Sequence, residues 1–159
     1  MSYLAAMNCT GIAEGNYLMS KILVADRDLS RAQFIKRILV RRDISNCGDI
    51  GLINDGLQAR ETLLENSYNL VIIGEELGGM SGLDCIRFLQ EKNIKHSILL
   101  MIQTPRVEIT REAILLGVQG YYEIPIWVDG FVAIIQGMLS NRRIDFGTKI
   151  YKLYTKRLS

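Results

Sequence analysis

The sequence predicts an α/β fold in which a doubly wound, five-stranded parallel sheet is covered by helices on both faces. Two observations support this class. Short apolar runs such as Asn69–Ile73 and Ser97–Ile102 have the length and residue types of buried strands. They alternate with segments of helical periodicity, which implies parallel strands joined by right-handed crossovers. The 159 residues, 48% of them apolar, are enough for one compact domain.

Turn residues and apolar periodicity define the first two strand–helix units. After a first strand at Lys21–Ala25, Asp28 or Ser30 can cap a helix by accepting free backbone N–H groups. That helix extends to about Arg42 and carries apolar residues on one face. The second unit is a weaker strand, an Asp-Gly turn and another helix, expected at 50–53, 55–56 and 57–65.

Three further units complete the predicted sheet. The third strand leads into a loop with glycines at 78, 79 and 82, which we interpret as turn residues because no phosphate-binding motif accompanies them. Thr104-Pro105 marks the turn after the fourth strand, and Gly117 ends the helix that follows. These strands and helices are expected at 69–73 and 83–91, 97–102 and 107–116, and 120–123 and 128–139.

Three segments divide the chain. Residues 19–140 form the predicted domain, preceded by a leader or loosely ordered arm over 1–18 and followed by a basic extension over 141–159. The arm lacks the basic start and long apolar core of a signal peptide. No apolar stretch reaches the ~20 residues that a membrane-spanning helix needs.

The charge balance and the cysteines narrow the class of protein. A formal net charge of +2 is too small to indicate nucleic-acid binding by itself. Cys9, Cys47 and Cys85 are odd in number and lack CxxC spacing, which favours reduced thiols in a cytoplasmic protein over a metal site. The composition therefore predicts a compact cytoplasmic domain.

Four segments, taken in order, carry a resemblance to a known family. They are KILVADRD at the first strand, INDG before the second helix, YNLVIIGEELGGMSG around the third strand and GVQGYYEIPI around the fifth. Together they resemble the receiver domain of bacterial two-component response regulators, over roughly 21–139. The resemblance implies a flavodoxin-like receiver fold with strand order 2-1-3-4-5 and a cis peptide bond at Ile124-Pro125.

The resemblance also implies a phosphorylation pocket, and this chain lacks most of its groups. In receivers, an aspartate ending the third strand accepts the phosphoryl group and two acidic residues after the first strand bind Mg²⁺, while a hydroxyl and a lysine contact the phosphoryl group. Here the acceptor position is Gly74, and the acidic pair becomes Asp26 and Arg27. The hydroxyl position falls on Ile102 and the lysine position on Ile124. We therefore expect no metal, no cofactor and no catalytic residue.

Neighbouring residues leave alternatives open in this degenerate pocket. A shift of two residues would let Thr104 supply the hydroxyl. Glu75 or Glu76 could replace the acceptor, although strand alternation should aim Glu75 away from the pocket. Arg27 could fill the vacant phosphate or metal position by pairing with Asp26 or Glu75, or it could extend into solvent.

A docking surface is the second feature that the resemblance implies, formed by the fourth helix, the fifth strand and the fifth helix. Aromatic and arginine side chains are favoured anchors at protein interfaces. This surface offers Arg106, Arg111, Tyr121, Tyr122 and Trp127. Inward packing of Tyr121 or Trp127 is an equally good interpretation. We expect a protein partner here, and a homodimer is the other candidate.

These observations lead to one main hypothesis. The chain is a phosphorylation-independent pseudo-receiver, not an enzyme, that acts as a protein-interaction module in bacterial two-component-type signalling. One alternative is a sensor of a small anion or nucleotide, held by Arg27 or by basic surfaces. Another is the N-terminal regulatory domain of a longer DNA-binding or catalytic response regulator, which the basic extension suggests. Nucleic-acid binding by this segment alone is not expected.

Overall fold

The computed structural model describes residues 20–140, so the predicted arm 1–18 and extension 141–159 lie outside the described residues. The strands are β1 Ile22–Ala25, β2 Ile50–Ile53, β3 Leu70–Gly74, β4 Glu76–Leu77, β5 Met80–Ser81, β6 Ile98–Ile102 and β7 Gly120–Glu123. The helices are α1 Leu29–Arg41, α2 Gly56–Glu65, α3 Gly82–Glu91, α4 Val107–Leu115 and α5 Val128–Leu139. Within this range, no helix has both the length and the apolar character needed to cross a membrane.

Five parallel strands form the main sheet in the order β2-β1-β3-β6-β7. This confirms the predicted order, because β6 and β7 are the fourth and fifth predicted strands. Ala25 on β1 pairs with both Ile53 and Ile73, and Gly74 pairs with Met101 on β6. The carboxyl ends of β1, β3 and β6 therefore meet at one edge, which is where open parallel sheets bind their ligands.

Each face of the sheet has its own apolar core, because side chains alternate along the strands. Val24 and Ile72 pack with α1 and α5, whereas Leu23 and Ile73 pack with α2, α3 and α4. Helices on both faces explain why the central strands are continuously apolar. Full burial of each such side chain stabilises the fold by roughly 1.5–3 kcal/mol.

A small antiparallel hairpin, β4–β5, forms in the glycine-rich loop after β3, where no strands were predicted. The N–H of Gly78 donates to the carbonyl oxygen of Asn54 at 2.8 Å. Gly79 has a φ of 83°, and a Cβ on Gly82 would clash with the carbonyl oxygen of Gly74. Gly78 and Gly79 therefore form the hairpin turn, as predicted, whereas Gly82 is the first residue of α3, where only glycine permits the close backbone approach.

Side-chain caps fix the starts of the first three helices. Of the two caps predicted for α1, Asp28 serves and Ser30 does not. The three capping side chains are Asp28, Asp55 and Ser81. Each accepts a backbone N–H three residues later, which satisfies a donor that the helix itself leaves free. The Ile124-Pro125 peptide bond is cis, as predicted.

Candidate functional site

A pocket of about 300 Å³ opens at the carboxyl ends of β1, β3 and β6. It therefore lies at the edge where the sequence places the degenerate phosphorylation pocket. The side chains that line it are Arg27, Asp28, Arg31, Glu75, Glu76, Met101, Gln103 and Ile124. Two arginines and three carboxylates thus share one small space.

Asp26 lies beside this pocket, directly after β1, and is only 1% exposed. Nε of Arg31 donates to its Oδ2 at 2.7 Å, and Nη2 of Arg31 donates to its Oδ1 at 2.8 Å. The backbone N–H of Asp28 also donates to Oδ1, at 2.8 Å. The hydrogen bonds from Arg31 to Asp26 raise the pKa of that guanidinium, so its charge persists at every physiological pH. Both carboxylate oxygens are therefore engaged by a permanent cation.

Gly74 ends β3 directly beside Asp26. A Cβ built on Gly74 would lie 3.0 Å from Cγ and 3.0 Å from Oδ2 of Asp26. These separations are shorter than ordinary van der Waals contact, so a side chain at this position would require the Asp26 carboxylate to shift by a few tenths of an ångström. The acceptor position consequently lacks a reactive group, and a side chain placed there would crowd the Asp26 carboxylate.

Of the two alternatives left open for Arg27, pairing with Asp26 or Glu75 is wrong, and extension toward solvent is what the structure shows. Nη1 of Arg27 donates to Oε2 of Glu76 at 3.2 Å, and 69% and 66% of these two side chains are exposed. Arg31 pairs with Asp26 instead, and the sequence prediction missed it. Arg31 lies in the first turn of α1, where helical side chains point back toward the N-terminus and so toward the end of β1. The Arg31–Asp26 pair could therefore have been predicted from the direction of side chains in a helix.

Glu75 was expected to point away from the pocket, but it lines the pocket. Its Oε2 accepts the backbone N–H of Gln103 at 3.0 Å, and its Oε1 accepts Nη2 of Arg106 at 3.2 Å. Strand alternation fails here because β3 ends at Gly74 and the chain turns at once into the β4–β5 hairpin. Glu75 therefore joins the end of β3 to the segment that precedes α4.

The hydroxyl position also differs from the prediction. Ile102 is buried in the core shared with α2, α3 and α4, and the pocket is lined by Met101 and Gln103 instead. Alternate residues of a strand share a face, which explains why these two side chains appear together without Ile102. Thr104, the other candidate, is exposed and does not line the pocket. The pocket therefore presents an amide where a hydroxyl was sought.

This set of residues does not fit Mg²⁺, the metal of active receivers. Mg²⁺ needs available oxygen ligands in octahedral geometry, but both oxygens of Asp26 already accept hydrogen bonds. Within residues 20–140, no group of three or more His, Cys, Asp or Glu side chains is arranged to hold a metal ion. Ile124 lines the pocket at the lysine position and supplies no cation there.

The side chains of the predicted docking surface are partly exposed and partly packed inward. Trp127 is 65% exposed, and Arg111 is also exposed. Tyr122 packs edge-to-face on Phe131 with ring centroids 5.2 Å apart, and its hydroxyl accepts the N–H of Trp127 at 2.9 Å. Tyr121 is half-buried against the core below α4. Arginine and tryptophan therefore remain available to a partner, whereas the tyrosines mainly support the fold.

Three apolar side chains of α4 complete this surface and were missed by the sequence prediction. Val107, Ile114 and Leu115 are 74%, 63% and 72% exposed. Val107, Arg111 and Ile114 are separated by four and three residues, so they share one side of the helix. We call these four residues, Val107, Arg111, Ile114 and Leu115, the α4 face. The three apolar members could have been identified from the sequence, because they fall outside the buried stripe of α4.

Comparison with known proteins gives distant relatives in sequence. No protein-family model matches the chain. The chain is 26% identical over 123 residues to the transcriptional regulatory protein ZraR of Escherichia coli O157:H7, and 25% identical over 124 residues to ZraR of Klebsiella oxytoca. These matches cover 77% and 78% of this chain but only 27% of each relative. The chain thus spans about a quarter of the length of these curated relatives.

Solved structures show the same architecture. The receiver domain of Francisella response regulator 1452 matches with a TM-score of 0.68 at 23% identity, over 76% of this chain and 97% of that one. A two-component response regulator from Clostridium difficile matches at 0.69 and 21%, over 79% and 100%. The chemotaxis protein CheY4 of Vibrio cholerae matches at 0.67 and 18%, over 76% and 99%. The chain therefore folds as a receiver domain of the kind found in two-component response regulators.

Proposed function

We propose that this domain is a phosphorylation-independent pseudo-receiver that acts as a protein-interaction module in bacterial two-component-type signalling. The observation that carries the proposal is the Asp26–Arg31 pair beside Gly74. The pair engages the one acidic group that an active pocket would have kept, and the acceptor position has no side chain. Signalling would then depend on which partner binds and on how much protein is made.

The energetics of the pair support this proposal. Mg²⁺ could bind Asp26 only by displacing Arg31 from a nearly buried carboxylate. Displacing Arg31 breaks two charge-assisted hydrogen bonds, each worth roughly 1.5–3 kcal/mol. One carboxylate binds Mg²⁺ weakly, so the free energy of metal binding does not offset the cost of displacing Arg31.

Phosphorylation independence is tested by incubating the protein with Mg²⁺ and acetyl phosphate and measuring its intact mass. We expect no added phosphoryl group, and no change in the NMR spectrum with Mg²⁺ and beryllofluoride. Gly74→Asp alone should also remain unlabelled, because the new side chain meets the Asp26 carboxylate and Arg31 still holds that group. Stoichiometric labelling of the wild-type chain would contradict the proposal.

The double variant Gly74→Asp/Arg31→Ala is the matched positive control. It places two carboxylates together without their cation, an arrangement that favours Mg²⁺. We expect Mg²⁺ to raise the melting temperature of this variant and to leave that of the wild-type chain unchanged. Equal stabilisation of both proteins would show that Arg31 does not block the metal.

We assign the docking role in this proposal to the α4 face. It combines three exposed apolar side chains with Arg111 at its centre. Such a face fits a protein partner that presents an apolar segment with an acidic side chain, since charge complementarity sets register and specificity. A homodimer is the competing occupant.

Paired substitutions test this surface. Val107→Glu/Ile114→Glu on α4 should abolish capture of the partner without unfolding the domain. Leu57→Glu/Leu64→Glu on α2 is the matched control, since those leucines are 55% and 42% exposed. Loss of capture in the α2 variant, or retention in the α4 variant, would count against the docking face. A concentration-dependent dimer that only the α4 variant loses would identify a second copy as the occupant.

One observation favours a second function, that of a regulatory domain within a longer transcriptional regulator. The matched ZraR proteins are transcriptional regulatory proteins, and the match covers 27% of their length. Determining the full open reading frame and its transcript tests this. The small-anion alternative draws less support, because the three carboxylates that line the pocket outnumber its two arginines.

A further inference from the structure

The position of α4 depends little on burial, which distinguishes it from the other helices. Ala113 is its one fully buried residue, while α3 buries five and α1 buries four. Arg106 stands at its N-cap position and makes no side-chain cap hydrogen bond. A helix with so few apolar contacts and an uncapped start is free to shift unless polar contacts hold it.

Glu75 supplies such a contact at the start of α4. Its two carboxylate oxygens reach two different groups, the backbone N–H of Gln103 and the guanidinium of Arg106, at 3.0 and 3.2 Å. These two residues bracket the 103–106 connector between β6 and α4. The Glu75 side chain is 16% exposed against 61% for Arg106, so the carboxylate is the fixed member of the pair. One anion therefore ties both ends of the connector to the end of β3.

We propose that Glu75 is the positioning residue of the α4 face: its carboxylate fastens the connector and sets where α4 begins. The positioning role itself does not depend on the proposed function. Its consequence does: the α4 face is held in one orientation without any ligand. The contact is independent of the Asp26–Arg31 pair, which lies on the other side of Gly74 and does not touch the connector.

A second polar contact holds the middle of α4 and separates this proposal from general helix packing. Arg87 on α3 donates to Glu112 of α4 and also to Asp84 of its own helix. That contact fixes the distance between α3 and α4 but does not reach the connector. Glu75 thus controls the first turn of α4, and Arg87 controls its centre.

Amide hydrogen exchange on the full chain tests the proposal with three variants. Glu75→Ala removes both contacts, Glu75→Gln keeps an acceptor for Gln103 and loses the charge, and Glu76→Ala changes an exposed neighbour that pairs with Arg27 instead. We expect exchange to rise about tenfold or more in Glu75→Ala at Gln103 and at Thr110, whose N–H donates to the carbonyl oxygen of Arg106 and closes the first turn of α4. The rise should be smaller in Glu75→Gln and absent in Glu76→Ala, while the amides of β3 keep their wild-type exchange.

The outcomes are decisive in both directions. Unchanged exchange at the connector in Glu75→Ala, or an equal rise in Glu76→Ala, would overturn the positioning role. If Glu75→Ala does not fold, Glu75→Gln alone decides, because wild-type exchange at Thr110 would then overturn the role of the charge. The measurement needs no partner, so loss of the docking function and loss of this positioning role appear as separate results.

Discussion

The helices α3 and α4 are neighbours on one face of the sheet, but they are held in place by different forces. α3 has a Ser81 cap, and its first residue, Gly82, packs directly on the backbone of Gly74. It also buries five of its ten residues. α4 has no side-chain cap and buries one residue of nine. Apolar burial therefore fixes α3, whereas hydrogen bonds and ion pairs locate α4.

On this face of the sheet, α3 therefore has a structural role, whereas α4 provides the surface proposed for binding. Segments with few buried apolar contacts open at the lowest free energy, and binding regions are commonly drawn from them. α3 helps to define the end of β3, where the site lies, and it needs rigidity. α4 carries exposed apolar side chains that a partner can contact, because the rest of the domain does not cover them. The comparison can be tested by making equivalent changes in both helices.

The largest expected effect comes from matched leucine truncations. Leu89→Ala on α3 removes a side chain that is 1% exposed and leaves a cavity, so the free energy of unfolding should fall by about 3 kcal/mol. Leu115→Ala on α4 removes a side chain that is mostly in water, and the change should stay within about 0.5 kcal/mol. Urea unfolding of both variants measures the difference. Similar losses would show that α4 is packed as firmly as α3.

The next largest effect is the pH dependence of stability that comes from the buried Cys85 thiol on α3. Burial raises the pKa of the Cys85 thiol to about 11, against a reference value of 9.0. Between these values the folded chain keeps a proton that the unfolded chain has lost, so stability must fall as the pH rises through this window. A shift of this size corresponds to roughly 2–3 kcal/mol. Unfolding measured from pH 8 to pH 11 should show this decline.

Cys85→Ala isolates the thiol from the other groups that titrate at high pH. The variant loses some packing at every pH. It has no thiol that ionises more readily in the unfolded chain, so this contribution to the pH dependence of stability is absent. Tyrosines and lysines contribute equally to both proteins, so the difference between their stability curves belongs to Cys85. Parallel curves from pH 8 to pH 11 would mean that the thiol is not held in a dry interior.

The sheet could be predicted because its signals are local. β3 and β6 read as apolar runs of strand length, and their order follows from alternation with helices. The β4–β5 hairpin could not be predicted in the same way. Its strands have two residues each, so no periodicity develops, and it forms through backbone contacts with the distant turn at Asn54.

The candidate site was predictable where backbone position alone decides. Gly74 and Ile124 lie where strand ends and the loop proline place them. Arg31 and Glu75 were missed because their roles depend on side-chain direction. Arg31 reaches back from the first turn of α1, and Glu75 turns into the pocket because its strand ends one residue earlier. The prediction for Glu75 assumed that strand alternation continues past Gly74, where β3 ends.

The smallest expected effect compares the starts of the two helices. The Ser81 hydroxyl accepts the N–H of Asp84 at 3.0 Å, so Ser81→Ala should lower the free energy of unfolding by about 1 kcal/mol. The same hydroxyl holds the pKa of Asp84 below its usual range, and NMR titration of the variant should show that pKa rising. Arg106→Ala removes an ion pair whose arginine is 61% exposed, and Gln103 still donates to the Glu75 carboxylate, so the loss should be smaller, about 0.5 kcal/mol. A larger loss in Arg106→Ala than in Ser81→Ala would reverse the comparison, because α4 would then be the helix whose start limits stability.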